Sequence, residues 1–288
     1  MLQRILVLLI LSFTLFTACD QKNGINKSSV ETVFANLNAG PYVFIQNNGL
    51  VQKKIVDGVV VVKELKELVY DTVYKLDTSV YSNVRNIAVL SDIHGQYDLA
   101  VELLKNNKII DADLNWNFGK DHLVIVGDIF DRGDKVNEML WLVYKLEYQA
   151  KEKGGNVHFL MGNHEYMIFH KDLRYISEKD QLVSKALNLN FDALYSNETV
   201  LGRWLRSKPV IVKINDNIFV HGGISSEFLS KVQFDVVAIN NTMQKAANQS
   251  KEELNLTGFM QPILEVLDLF GIGDTLMMVF KSLRFLIF

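Results

Sequence analysis

Apolar and polar positions alternate with different periods along the chain, and the changes of period mark its parts. Tyr42-Val43-Phe44-Ile45, Val51 to Val56 and Val59 to Val62 are short β-branched or aromatic runs, broken by Asn47-Asn48-Gly49 and Asp57-Gly58. Asn-Gly and Asp-Gly pairs suit tight hairpins because those residues accept positive φ, so the runs predict a small β-rich extension over residues 31–85. Its last part, 64–85, reads as a connection. From residue 86 strand and helix periods alternate. Asn86 to Leu90, His122 to Val126 and Val157 to Met161 are continuous apolar runs of the kind buried on both faces. Between them, Gln96 to Asn106 carries Leu99, Leu103 and Leu104 at helical spacing, and Val136 to Ala150 puts Met139, Leu140, Val143 and Leu146 on one face. Val210 to Ile214 and Asn217 to Val220 predict a hairpin about Asn215-Asp216. Alternating strands and helices predict an α/β fold, in which ligands gather at strand carboxyl ends.

Those carboxyl ends share a chemistry. The runs finish in Ser91-Asp92-Ile93-His94-Gly95, Gly127-Asp128, Gly162-Asn163-His164-Glu165 and His221-Gly222-Gly223. A lone Asp or His in a turn is most often a cap or a satisfied polar group. Four strand ends in one chain that each supply an oxygen or imidazole donor are poorly explained as caps. Asp92, His94, Asp128, Asn163 and His221 therefore form a candidate metal set. Oxygen and nitrogen donors without thiolate suit hard or borderline divalent ions such as Mn, Fe, Zn or Mg. The remaining histidines, His122, His158 and His170, sit in no glycine turn and read as structural.

The strings SDIHG, GDIFDRG, GNHE and HGG, in that order over residues 86–225, resemble the calcineurin-like metallophosphoesterases. More narrowly they are similar to the phosphoprotein phosphatases and, within them, to the bacterial Shewanella-like branch. Ser91 stands where the first motif usually has glycine. The resemblance implies a four-layer α/β/β/α sandwich over residues 86–266 and a dinuclear metal site with manganese foremost. It implies that Asp92 and His94 hold one ion, Asn163 and His221 the other, and that Asp128 bridges them. It further implies His164 as the acid that protonates the leaving oxygen, Asp131 as its orienting partner, and Arg132 with Asn163 as contacts to phosphate. The implied substrate is a phosphorylated protein or a small phosphate ester. A hydrolase of dinucleoside polyphosphates or phosphodiesters is the second enzyme reading.

Composition narrows the partners. Net charge is −3 with mixed signs, and no basic stripe marks a nucleic-acid footprint. Cys19 is the one cysteine, so no internal disulfide can form. Residues 1–18 have the layout of a secretory signal: Arg4, then the apolar stretch Ile5 to Phe16, then Thr17-Ala18. Ending before Cys19, this resembles a bacterial lipoprotein signal. It implies lipidation at Cys19, a polar tether over 19–30, and an exported protein held at the membrane of the cell envelope.

The C-terminal stretch departs from the pattern. The resemblance implies a further metal-binding histidine and a second phosphate-gripping arginine downstream, yet no histidine follows His221 in the sequence. The second ion is thus expected to lack one imidazole, which puts an inactive lipoprotein relic beside the enzyme readings. Residues 268–278, DLFGIGDTLMM, are compatible with codons that encode Gly-Pro-Ile-Trp-Tyr-Arg-Gly in a shifted frame. One reading of 267–288 is therefore an out-of-frame tail that replaces native sheet strands. The other is that 262–288 is a genuine, truncated helix dense in apolar residues, in which Asp268, Asp274, Lys281 and Arg284 interrupt any membrane-spanning run. Both stay open.

Overall fold

The computed structural model describes residues 34–47, 49–65, 69–224, 235–250 and 253. The expected signal segment, Cys19, the tether and residues 267–288 lie outside these described residues. The predicted meander is present. Strands β1 (Ala39–Gln46), β2 (Gly49–Val56) and β3 (Val59–Leu65) pair antiparallel in that order. Asp57 and Gly58 make the second turn with φ of 46° and 77°, the left-handed values that the Asp-Gly pair predicts. The meander packs onto the rest of the protein. The Pro41 carbonyl accepts hydrogen bonds from Asn137 Nδ2 (3.2 Å) and Trp141 Nε1 (2.8 Å), and Val43 and Leu50 pack on Val200.

Two further sheets build the layers that carry the site. In the first, β5 (Ile87–Leu90), β6 (His122–Val126) and β7 (Asn156–Leu160) run parallel in the order β5-β6-β7. Helices α1 (Tyr97–Asn106) and α2 (Val136–Glu152) connect them. In the second, β8 (Ile211–Ile214) pairs antiparallel with β9 (Asn217–Val220). Its other edge pairs parallel with β4 (Val80–Tyr81), a strand that the sequence reading placed inside a connection. Two residues are too few to show a period.

The continuous apolar strands are explained by what covers each face. Ile87, Val89, Val124, Val126 and Leu160 point to one side and meet Val212, Ile214 and Phe219 of the second sheet. Their neighbours Ala88, Leu90, Leu123, Ile125 and Phe159 point to the other side and pack with Leu104, Met139, Leu140, Val143 and Leu146 of the helices. Each such side chain stabilises the fold by about 1.5–3 kcal/mol relative to exposure. Beyond β7 the chain forms α3 (Asn163–Phe169), α4 (Glu178–Leu187), a 3₁₀ turn (Phe191–Tyr195) and α5 (Val200–Leu205). Helix α6 (Val236–Ala247) covers the outer face of the second sheet. There Ile239 and Met243 meet Val210 and Ile211, and Asn240 bonds the backbone of both strand residues. The order helix, sheet, sheet, helix is the four-layer sandwich expected.

Candidate metal centre and active site

The carboxyl ends of β5, β6, β7 and β9 lie together, and their turns hold the predicted donors around one oxygen. Asp128 Oδ2 is 3.3 Å from His221 Nε2, 3.7 Å from His94 Nε2 and 3.9 Å from His164 Nε2. Asn163 Oδ1 is 3.1 Å from His221 Nε2. Two donor triads share Asp128, namely His94-Asp128-His164 and Asp92-Asp128-His221, each with its atoms within 4.8 Å of one another. Ligands on an octahedral ion with bonds near 2.1 Å stand about 3 Å apart along an edge, so a set spaced this way fits divalent cations. With no thiol among the donors, the residues fit the hard or borderline ions expected.

The triads group the residues differently from the sequence reading. Asp92 falls with His221, and His164 falls with His94. The Val126 carbonyl explains the first grouping. It is bonded by His221 Nδ1 (2.7 Å) and by the hydroxyl of Ser91 (2.9 Å), and Ser91 Oγ also lies 2.5 Å from Asp92 Oδ2. Serine in place of glycine thus holds the exposed Asp92 carboxylate on the His221 side.

Each imidazole is oriented by a bond to its other nitrogen. His94 Nδ1 meets the Phe130 carbonyl at 2.7 Å, His221 Nδ1 meets Val126, and His164 Nδ1 meets Asp131 Oδ2 at 2.5 Å. In all three the Nε2 atom is left facing Asp128, the arrangement by which outer partners fix a ligand's tautomer and direction. The backbone is strained in the same places. Asp92, His94, Asp128, Asp131 and Arg132 have φ of 52°, 43°, 55°, 70° and 65°, in the left-handed region that non-glycine residues seldom enter. Close approach adds to this: a Cβ on Gly162 would stand 2.2 Å from Asp128 Oδ1.

The groups tune one another. Burial raises Asp128, but hydrogen bonding and charge from His221 leave its carboxyl below the usual value. Burial lowers His221, and the Asp128 carboxylate more than reverses this, so its imidazole is pushed up to about 9. For His164 burial again lowers, and Asp131 with Asp128 prevails, leaving it raised. His94 goes the other way, because burial outweighs its hydrogen bond to Phe130.

Two residues of this site escaped the sequence reading. Glu165 is the last letter of the GNHE motif, where the sequence assigns it no role. Fully buried, its carboxylate accepts from the backbone N–H groups of Asp128 (2.9 Å), Ile129 (2.8 Å) and Gly162 (2.7 Å), tying two of the turns together. An acid three residues after Gly162, at the start of a helix, is the capping-box pattern that could have revealed it. Tyr175 had no signal at all. Its carbonyl accepts from Arg132 N–H at 2.8 Å, and its ring lies 5.6 Å from that of His164. Arg132 itself is exposed, close enough for its charge to lower His94. His122 and His158 are buried and joined at 2.8 Å, and His170 Nε2 meets the Ala246 carbonyl at 3.3 Å.

A two-sheet α/β sandwich with clustered oxygen and imidazole donors at its strand ends defines a metallophosphoesterase. The chain belongs to the calcineurin-like phosphoesterase family, whose description matches residues 85–265. Among solved structures it is similar to the cold-active protein-tyrosine phosphatase of a psychrophilic Shewanella species. The two share 38% identity and a TM-score of 0.73, over 77% of this chain and 73% of that one. It is also similar to Shewanella-like protein phosphatase 1 of Plasmodium berghei, at 29% identity over 62% of this chain and 51% of that protein. A symmetrical bis(5'-nucleosyl)-tetraphosphatase of Wigglesworthia glossinidia brevipalpis matches at 29% over 47% of this chain and 44% of its own length. The chain spans about half the length of the curated relatives it matches. These likenesses support the Shewanella-like branch.

Proposed function

We propose that the protein is a dinuclear metal-dependent phosphomonoesterase that acts on phosphorylated proteins. The observation that carries this reading is the convergence of three imidazole Nε2 atoms on Asp128 Oδ2, each held from behind by a carbonyl or carboxylate. Asp92, His94, Asp128, Asn163 and His221 would hold the cations, with Asp128 shared. When bound, paired divalent ions supply Lewis-acid neutralisation of the phosphoryl group and activation of the attacking water. Arg132 adds a planar guanidinium for phosphate oxygens. His164 holds the proton for the leaving oxygen: Asp131 fixes Nδ1 and keeps the ring charged, so Nε2 faces the reacting centre as an acid. The likeness to the Shewanella and Plasmodium protein phosphatases favours a phosphoprotein substrate over a dinucleoside polyphosphate, whose hydrolase matches a shorter stretch.

The test is turnover of p-nitrophenyl phosphate in manganese by the chain without residues 1–18, beside Asp128→Asn and His164→Ala. Loss in Asp128→Asn with p-nitrophenyl phosphate, and in His164→Ala with an alkyl phosphate whose leaving oxygen needs a proton, supports the reading. Equal turnover in all three rules it out and favours the inactive relic. We also propose that Cys19 carries the lipid that holds the protein at the cell envelope. Intact-mass measurement of the membrane fraction tests this, since acylation must vanish in Cys19→Ala.

A further inference from the structure

We propose that Arg203 and Arg206 form a second anion site, separate from the metal centre, that takes a tetrahedral oxyanion such as phosphate. The two arginines lie one turn apart at the end of α5 and line a cleft of about 250 Å³. Thr72, Asn197, Gln244 and Asn248 complete its polar lining, which holds no carboxylate among the described residues. The cleft is not part of the strand-end cluster. Arg206 stands over Phe169, the last residue of α3, whereas Asn163 of the metal centre is the first. That helix of 7 residues is about 10 Å long.

Arg206 carries the argument. Its Nη1 donates to the carbonyls of Tyr195 (2.6 Å) and Gly202 (2.9 Å), and its guanidinium carbon is 4.1 Å from the Phe169 ring centroid. These contacts fix the planar fork and supply no counter-charge. Nη2 and the buried Nε have no acceptor among the described residues, and no carboxylate there pairs with the group. With burial unopposed, the guanidinium is pushed down to about 10 and stays charged at neutral pH. A cation withdrawn from water is costly unless paired. The fold can supply partners in this segment: Lys208, two residues on, is held by Asp77 (2.6 Å) and Glu147 (2.8 Å). Arg206 is given none, and it lies at an open cleft. Arg203 adds a second charge there. Its Nε and Nη1 bond the carbonyls of Asn197 (2.6 Å) and Thr72 (2.9 Å), which leaves Nη2 unbonded among the described residues. Guanidinium groups with unused N–H donors match phosphate oxygens in geometry and charge.

The experiment titrates orthophosphate and O-phosphoserine into Asp128→Asn, whose metal centre is disabled, in metal-free buffer at constant ionic strength. Asp128→Asn is expected to bind one orthophosphate. Arg206→Gln in that background should bind it roughly 10- to 100-fold more weakly, and Arg203→Gln about 2- to 5-fold more weakly. Melting curves without phosphate report whether each variant is folded, and Arg203→Gln keeps the test open if Arg206→Gln is not. Binding of O-phosphoserine as well extends the ligand to phosphate carried on an ester, and binding of orthophosphate alone confines it to the free ion; either supports the site. No binding by Asp128→Asn, or an unchanged affinity in the folded arginine variants, overturns the inference and leaves the reading of the metal centre untouched.

Discussion

Asp131 Oδ2 lies 2.5 Å from His164 Nδ1, with both side chains almost wholly buried. Burial alone would discharge the imidazole, and the carboxylates of Asp131 and Asp128 reverse that. The raised value keeps His164 protonated to higher pH than a free histidine, so an activity that needs the acid form extends toward the basic side. Asp131→Asn keeps the shape and removes the charge. Its basic limb should move to lower pH, and turnover of an alkyl phosphate should fall by about 10²-fold. Turnover of p-nitrophenyl phosphate should fall far less, since that leaving group needs no proton. A pH profile with both substrates checks this, and identical losses would count against His164 as the acid.

Glu165 makes a stability prediction. Its carboxylate serves backbone donors from both the GDIFDRG and GNHE turns. Glu165→Gln replaces one acceptor with a donor that faces another donor. We expect a loss of about 2–4 kcal/mol, from N–H groups left unmet around a fully buried side chain. Urea unfolding should show a lower midpoint at an unchanged slope. A change within about 0.5 kcal/mol would mean that the turns hold themselves.

Much of this was legible because the strands follow a simple rule and the donors sit where those strands end. Val124 and Ile125 are both apolar because one faces a sheet and the other a helix layer, and the apolar run showed this without any partner being known. Residue type and turn glycines single out Asp92, His94, Asp128, Asn163 and His221, and the fold brings these candidates to one end of the sheets. What stayed hidden depends on distance in space. Strand β4 is two residues long, and its pairing with β8 spans over 130 positions of sequence. The grouping of Asp92 with His221 arises from a shared bond to the Val126 carbonyl, and main-chain carbonyls carry no sequence letter. Tyr175 reaches His164 through the segment after α3, which is pinned by the Arg132 N–H bond to the Tyr175 carbonyl.

The buried pair His122 and His158 makes acid a weak point remote from the chemistry. His158 Nε2 and His122 Nδ1 meet at 2.8 Å beneath Tyr81. Burial, with the neighbouring His122 adding to it, pushes His158 down to about 3. The unfolded chain binds this proton near 6.5, so the stabilisation is complete above that pH. It is lost as pH falls from about 6.5 toward 3, with a slope approaching about 1.4 kcal/mol per pH unit from this group. His158→Asn should be less stable at pH 7 and show a flatter decline between pH 6 and 4. Parallel curves for the two proteins would exclude His158 as the cause.

The shared position of Asp128 predicts how cations are lost. Its Oδ2 lies within 4 Å of the Nε2 atoms of His94, His164 and His221 alike. Removal of an imidazole at one side should cost one cation, whereas removal of the shared carboxylate should cost both. Manganese titration followed by calorimetry should therefore give two sites in the wild type, one each in His94→Ala and His221→Ala, and none of measurable affinity in Asp128→Asn. Bound metal stabilises the folded state by mass action, by about 2.7 kcal/mol at a hundredfold excess over the dissociation constant. The melting temperature should accordingly rise with manganese in the wild type, rise less in the histidine variants, and stay flat in Asp128→Asn. Two full sites in Asp128→Asn, or the loss of both in either histidine variant, would show that this carboxylate does not join two centres.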